Sequence, residues 1–160
     1  MKELTLIGHA ERVGFPDLGI VSIPAKIDTG ADASSIWATA TADEHGHLSV
    51  VFLGPDSPLY DGQVHTFPKS SYSKSRVSNS FGHWEVRYKL KLKIRVNGRI
   101  INSSFTLADR STKLYPILLG RSLLRNKFLV DVSKGIRLAP EKTTRKRKLQ
   151  KVTNIMSEVQ

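Results

Sequence analysis

The segment WEVRYKLKLKIRV, residues 84–96, constrains the fold of this chain more than any other stretch of its sequence. Apolar side chains occupy its even positions from Val86 to Val96, and charged side chains occupy its odd positions from Glu85 to Arg95. A β-strand places successive side chains on opposite faces, whereas a helix, with a period of roughly 3.6 residues, would mix the two kinds. We therefore expect a long strand with one apolar face and one cationic face.

Turn residues place this strand in an antiparallel hairpin. Asn97-Gly98 follows it directly, and Asn-Gly between strand-forming residues is the strongest short-range hairpin signal. We expect the chain to return as a strand over 99–107, and RSLLRN, residues 121–126, to form a short helix. Residues 54–83 are rich in turn formers and indicate loops around one short strand. Apolar runs predict further strands at 4–8, 19–28, 48–53, 63–67, 117–119 and 128–132, which makes the predicted fold all-β.

Length and charge set the domain organisation. A chain of 160 residues suits one domain with a full core, which we place at residues 1–139. The formal net charge is +11, and residues 140–160, with six Lys or Arg and two Glu, carry +4 of it. We expect that basic C-terminal tail to be mobile or a marginal helix. The excess of 19 basic over 12 acidic residues in the body would attract nucleic acid, a membrane or an acidic polypeptide.

Several classes of segment are missing from the sequence. No run of about 18 apolar residues is present, so we predict no membrane partner. The apolar run near the start is too short for the core of a signal peptide. Without cysteine, disulfides and thiolate metal sites are unavailable, and we expect a cytoplasmic protein.

Two motifs carry the chemistry. DTGA, residues 28–31, follows an apolar strand, and ILLGR, residues 117–121, comes about 90 residues later, with the hairpin between them. With these motifs the chain resembles the retropepsin-like aspartic peptidases, in which such segments pack together at the active site. FPDLGI, SNSFGHWEVR, LADRS and LLGRSLL make it similar, more narrowly, to a small bacterial family described as ATP-dependent zinc proteases and associated with ribosomal-protein glutamate ligases.

The resemblance implies a closed barrel of the acid protease type, with one short C-terminal helix, over roughly residues 4–138. It makes Asp28 catalytic, within an active-site loop completed by Thr29, Gly30 and Ala31. Such enzymes need two carboxyl groups about 3 Å apart that share one proton, because like charges so close cannot both ionise. DTG occurs once in this chain, so a symmetric homodimer would supply the second Asp28, with Thr29 hydrogen-bonding across the axis.

The resemblance assigns two further groups of residues. Asp32 and Arg121 would form a structural pair that holds the active-site loop. Residues 75–87 would form the flap, the hairpin that covers the substrate, although an ordinary polar loop ahead of a strand is the alternative. The flap and substrate-binding residues would be Arg76, Ser78, Ser80, Gly82 and Arg87.

The sequence predicts neither a metal nor a nucleotide cofactor. It lacks a glycine-rich phosphate loop ending in Lys-Ser or Lys-Thr, and it lacks a zinc-binding HExxH motif. His45 and His47, in EHGHL, are more typical of a solvated loop than of a metal site.

Two functions remain open at this stage. The first is an aspartic endopeptidase acting on a peptide or protein substrate, with acidic, glutamate-rich tails as the specific candidate. The cationic face of residues 85–95 would then steer the substrate, although such a face is commonly just the solvated side of a strand. The alternative is a non-catalytic basic module that binds RNA or ribosomes, with non-specific, salt-dependent nucleic-acid contact through the tail.

Overall fold

The computed structural model describes residues 3–79 and 81–159, and most of the regular structure in those ranges is β. The prediction of an all-β fold is confirmed. The strands are β1 (Thr5–Ile7), β2 (Ala10–Phe15), β3 (Ile20–Ile27), β4 (Ser34–Ala42), β5 (Leu48–Phe52), β6 (Val64–Phe67), β7 (Tyr72–Ser78), β8 (Trp84–Val96), β9 (Arg99–Ala108), β10 (Ile117–Leu119) and β11 (Phe128–Val130). The helices are α1 (Arg121–Leu124) and α2 (Ala139–Glu158), with 3-10 turns at Pro16–Leu18 and Lys69–Ser71.

Six strands close into a barrel in the order β10-β3-β2-β8-β9-β4. Closure depends on β10, which pairs in parallel with β3 and antiparallel with β4. Ile117 is the centre of this arrangement, since it lies opposite both Ala25 and Ile36, and all three are fully buried. The continuous apolar run at 117–119 therefore reflects a strand with neighbours on both edges. The closed barrel implied by the resemblance is confirmed.

The hairpin predicted at Asn97-Gly98 is also confirmed. β8 and β9 pair from Val96 with Arg99 back to Lys89 with Thr106. Asn97 has φ 44° and Gly98 has φ 80°, the left-handed conformations that a tight two-residue hairpin turn requires.

Three strands were missed in the sequence, namely β2, β4 and β7. Glu11 and Gly14 interrupt the apolar pattern of β2, and the first five residues of β4 are all buried, so neither strand alternates. The prediction of one short strand within residues 54–83 was wrong, because both β6 and β7 lie there. β2 and β4 become strands through pairing that includes the distant β8, β9 and β10, and β7 through pairing with the adjacent β8, and local propensity does not report these partners.

The barrel core is built from the apolar face of β8 and its neighbours. Leu90, Ile94 and Val96 are at most 1% exposed, as the alternating pattern requires. Across the interior, the rings of Phe15 and Phe105 meet edge to face with centroids 5.5 Å apart. This packing fixes the strands that lead to the site described next.

Several elements lie outside the six-stranded barrel, among them β5 and β6, which extend the sheet from β4, and β7, which pairs with β8. β1 and β11 form a separate parallel pair, in which Leu6 lies opposite Leu129. The basic C-terminal segment forms the helix α2, one of the two alternatives expected for it. Its mobility and its contact with nucleic acid stay predictions. In the described part of the chain, no helix combines the length and the apolar character that crossing a membrane would require.

Candidate active site

Asp28 lies directly after β3, at a point where the backbone is held on both sides. The Asp28 N–H donates to the carbonyl oxygen of Leu119 over 2.9 Å, which extends the β3–β10 ladder by one residue. Ile27, immediately before it, is 7% exposed and anchors the strand in the core. The half-buried Asp28 side chain therefore projects from a rigid strand end.

The DTGA loop turns back onto its own carboxylate. The N–H groups of Gly30 and Ala31 donate to Asp28 Oδ1 over 3.0 and 3.1 Å. A Cβ at position 30 would lie 3.3 Å from that oxygen, a tight contact that the carboxylate would have to yield to by a few tenths of an ångström. Among the described residues, Asp28 Oδ2 accepts no hydrogen bond, so it is the oxygen open to a ligand or to a second carboxyl group. Thr29 is exposed beside it.

The ILLGR segment holds this loop in place through hydrogen bonds. The Gly120 N–H donates to the Ser34 hydroxyl oxygen over 3.0 Å in a buried bond, and the Arg121 N–H donates to the Ala31 carbonyl over 2.8 Å. Gly120 passes so close that a Cβ there would lie 2.5 Å from the Ala33 carbonyl oxygen. The two motifs, distant in sequence, thus form one hydrogen-bonded unit.

Asp32 and Arg121, expected as a structural pair, are brought together. The Arg121 Nε lies 3.2 Å from Asp32 Oδ1, and Nη2 contacts the same oxygen. The hydrogen bond from Arg121 is the largest cause holding the pKa of Asp32 below its usual value of 3.8. The pair is on the surface, since the Asp32 side chain is 83% exposed, and it ties the DTGA loop to the start of α1.

The segment expected as a flap is a hairpin and not an isolated polar loop. β7 and the first half of β8 pair from Tyr72 with Leu90 to Ser78 with Trp84, and the tip includes Asn79, whose N–H donates to the His83 carbonyl oxygen, and Gly82. Whether this hairpin covers a substrate stays a prediction.

The expected flap residues are spread along that hairpin. The Arg76 guanidinium stacks over the Trp84 ring, with 4.6 Å to its centroid. Ser78 ends β7, Gly82 lies in the tip, and Arg87 contacts Glu85. Ser80 lies outside the described residues.

Arg110 is a site residue that the sequence reasoning missed. It follows β9 within the quoted motif LADRS, which was the available signal. Its half-buried guanidinium donates from Nε to the Tyr115 carbonyl over 2.8 Å. Burial is the largest cause lowering the pKa of Arg110, the like charge of Arg87 lowers it further, and the charge of Asp28 raises it. Arg110 therefore lies within electrostatic reach of the predicted catalytic carboxylate.

The described residues contain no group of three or more His, Asp or Glu side chains arranged to hold a metal. His45 and His47 instead lie in an exposed turn beside Glu44 and Asp43. A cavity of about 670 Å³, lined among others by Ile23, Trp37, Leu114 and Leu138, includes none of the predicted site residues. Although this cavity is large, it does not fit the predicted active site, because its lining has no pair of carboxyl groups.

Comparison with known proteins identifies the family. The family model RimB-like, described as retropepsin-like aspartic endopeptidase RimB, matches residues 6–140. This chain belongs to the RimB-like family. The match contains the DTGA loop, the flap hairpin, Arg110 and ILLGR, so the predicted family is confirmed.

Relatives of this RimB-like chain include much longer proteins. Segments of "Probable alpha-L-glutamate ligase" proteins from Desulfotalea psychrophila and Shewanella halifaxensis are each 29% identical to it, over 79% and 85% of this chain. The matches cover 28% and 30% of those proteins, so the chain spans less than a third of their length. A Legionella pneumophila crystal structure of unknown function shares the fold, with a TM-score of 0.60 and 22% identity over 84% of this chain and 98% of that one.

Proposed function

We propose that this RimB-like chain is an aspartic endopeptidase that acts as a homodimer, with one Asp28 from each copy in the catalytic pair. The observation that carries the proposal is the Asp28 carboxylate, held on a rigid strand end by the N–H groups of Gly30 and Ala31. The sequence DTG occurs once, so the second carboxyl group comes from another copy of the chain. A two-fold axis beside the exposed Thr29 brings the two groups together.

The proposed reaction needs the pair to carry one proton. The ionised Asp28 takes a proton from a water molecule, whose oxygen attacks the peptide carbonyl carbon. The protonated Asp28 of the other copy donates its proton to the carbonyl oxygen, which gives a tetrahedral intermediate. The C–N bond then breaks as the amine nitrogen accepts a proton from one carboxyl group, while a hydroxyl group of the intermediate returns a proton to the other, so that the pair again holds one proton. Because Oδ1 is already occupied by the loop amides, Oδ2 is the oxygen that we assign to proton transfer.

Glutamate-rich tails are the substrate that the charge favours. The chain carries a net charge of +11, and Lys89, Lys91 and Arg95 add to the cationic face of β8. The relatives named as glutamate ligases contain a similar segment within the same chain, which favours a function connected with glutamate-containing products. A peptidase that trims such tails satisfies both observations.

Peptide hydrolysis by wild-type protein and by Asp28→Asn tests the proposal. We expect the wild type to cleave glutamate-tailed peptides and Asp28→Asn to cleave nothing, because an amide cannot act as a base or share a proton. Asp61→Asn is the matched control, since Asp61 also precedes a glycine but lies on an exposed loop without a preceding strand. An active, dimeric Asp28→Asn protein would move catalysis elsewhere.

The pH profile supplies a second test of the same proposal. Activity should be bell-shaped, because it requires one charged and one neutral carboxyl group, and its two apparent pKa values belong to the pair. Chelators should leave the rate unchanged. Hydrolysis that EDTA abolishes would favour a metallopeptidase instead.

A further inference from the structure

Arg110 is held in a fixed position with part of its guanidinium unused. Nε donates to the Tyr115 carbonyl over 2.8 Å, and Nη1 lies 3.4 Å from the Ser35 hydroxyl oxygen. These contacts come from two separate elements, the loop before β10 and the strand β4. Among the described residues, the second terminal nitrogen, Nη2, donates to no protein group. A planar guanidinium fixed along one edge presents its remaining donors in a defined direction.

Arg110 also forms no ion pair in the described part of the chain. Arg121 contacts Asp32 and Arg87 contacts Glu85, so each of these arginines has a carboxylate partner. Within the described part of the chain, no carboxylate oxygen lies within 4.0 Å of Arg110. A half-buried cation that contacts no counter-charge is unfavourable, and the neighbouring charge of Arg87 increases the cost. The charge of Asp28, which is not in contact, offsets only part of that cost, since the pKa of Arg110 is lowered overall. The arrangement is stabilised if an anion binds there.

Strand register places Arg110 beside the predicted catalytic group. Ser35 lies opposite Leu118 of β10, and Leu118 lies opposite Lys26 of β3, two residues before Asp28. With strands about 4.8 Å apart and a rise of about 3.3 Å per residue, Ser35 lies roughly 12 Å from Asp28. An extended peptide covers that distance in about three residues.

We propose that Arg110 is a specificity-determining residue, whose guanidinium binds the side-chain carboxylate of a substrate residue within about three positions of the cleaved bond. This inference rests on the proposed function and deepens it. A carboxylate accepts two parallel hydrogen bonds from a guanidinium, and Nη2 with the second hydrogen of Nη1 provides such a pair. The substrate carboxylate then supplies a contacting counter-charge, and Asp28, which makes no ion pair with Arg110, keeps its role in proton transfer.

Binding tests this recognition separately from catalysis. A fluorescent hexaglutamate peptide is titrated into Asp28→Asn protein, and then into that protein carrying Arg110→Gln or Arg110→Lys. We expect Arg110→Gln to weaken binding about ten- to a hundredfold, the usual effect of losing a charge-assisted hydrogen-bonded pair, and Arg110→Lys to weaken it less. Arg137→Gln, which removes an equal charge from an exposed position between β11 and α2, should change binding less than threefold. Equal losses from Arg110→Gln and Arg137→Gln would overturn the proposal, as would unchanged binding.

Kinetics with matched peptides separate recognition from a purely structural role. The substrates are hexaglutamate and hexapeptides in which one glutamate at a time is replaced by glutamine. Each is cleaved with protein that keeps Asp28, with and without the substitution at Arg110. We expect the replacement at one position near the cleaved bond to lower kcat/KM sharply. Arg110→Gln should abolish the difference between glutamate and glutamine at that position alone. If Arg110→Gln does not fold, the folded Arg110→Lys variant is used, and the glutamate preference should shrink without disappearing.

The outcomes for the two proposals are distinguishable. Hexaglutamate that binds through Arg110 but is never cleaved by the wild type would contradict the peptidase proposal and support the recognition. Cleavage with an unchanged glutamate preference in the Arg110 variants would contradict the recognition and leave the peptidase proposal standing.

Discussion

Replacing Gly120 with alanine tests the unit formed by the two motifs. The added Cβ would lie 2.5 Å from the Ala33 carbonyl oxygen and 2.9 Å from the Ala31 carbonyl oxygen. Both distances are well inside the roughly 3.5 Å at which nonbonded atoms are in contact. Because both neighbours are backbone atoms, no side chain can rotate away, and the DTGA loop or the start of α1 has to shift.

The size of the effect follows from the contacts that the shift disturbs. Overpacking of this kind costs about 1–3 kcal/mol. The shift also strains the buried bond from Gly120 to Ser34 and the bond from Arg121 to Ala31, each worth about 0.5–1.5 kcal/mol. The free energy of unfolding should therefore fall by about 2–6 kcal/mol, a large part of the total of about 5–15 kcal/mol that a domain has.

Urea unfolding followed by circular dichroism measures this change. With a slope of about 1–3 kcal/mol per molar urea, the midpoint should fall by at least about 0.7 M. Gly98→Ala is the matched control, because Gly98 has φ +80° but no atom within 4 Å of an added Cβ, and its cost should be about 1–2 kcal/mol from the backbone alone. A Gly120→Ala midpoint equal to that of the wild type would refute the close approach of the two motifs.

Three more predictions follow from the same geometry. Ser34→Ala should lower the free energy of unfolding by about 1–3 kcal/mol, because it leaves the buried Gly120 N–H without an acceptor, and an unchanged urea midpoint would contradict this. Because its folded pKa is lowered, the Asp32–Arg121 pair should stabilise the loop above about pH 4 and be lost as the pH falls through that lowered value. The Asp32 carboxyl NMR titration should return toward 3.8 in Arg121→Ala, together with weaker dimerisation, and an unmoved titration would argue against the pair. Lys89→Glu with Lys91→Glu should lower kcat/KM selectively on acidic peptides, and the loss should shrink as salt rises, since the Debye length falls from about 10 Å at 0.1 M to about 3 Å at 1 M. Parallel salt curves for acidic and neutral peptides would contradict the proposal that the cationic face of β8 steers acidic substrates.

The site was predictable where its residues form a local motif. DTGA and ILLGR are each contiguous, and each has a chemical reason to keep its residue types. Asp28, Gly30 and Gly120 could therefore be named from the sequence. Arg110 could not, because its position depends on Ser35 and Tyr115, which are brought to it from β4 and from the loop before β10.

The sequence by itself determined the strand pattern of β8, the turn at Asn97-Gly98 and the family to which the chain belongs. These features depend on side-chain alternation and on short-range turn geometry, which are properties of neighbouring residues. The tertiary structure decided that β4 is a strand, that β10 closes the barrel between β3 and β4, and that Arg110 lies within electrostatic reach of Asp28 without an ion pair to any described residue. Each of these depends on hydrogen bonds or charges between residues far apart in the chain, and no local pattern encodes such partners.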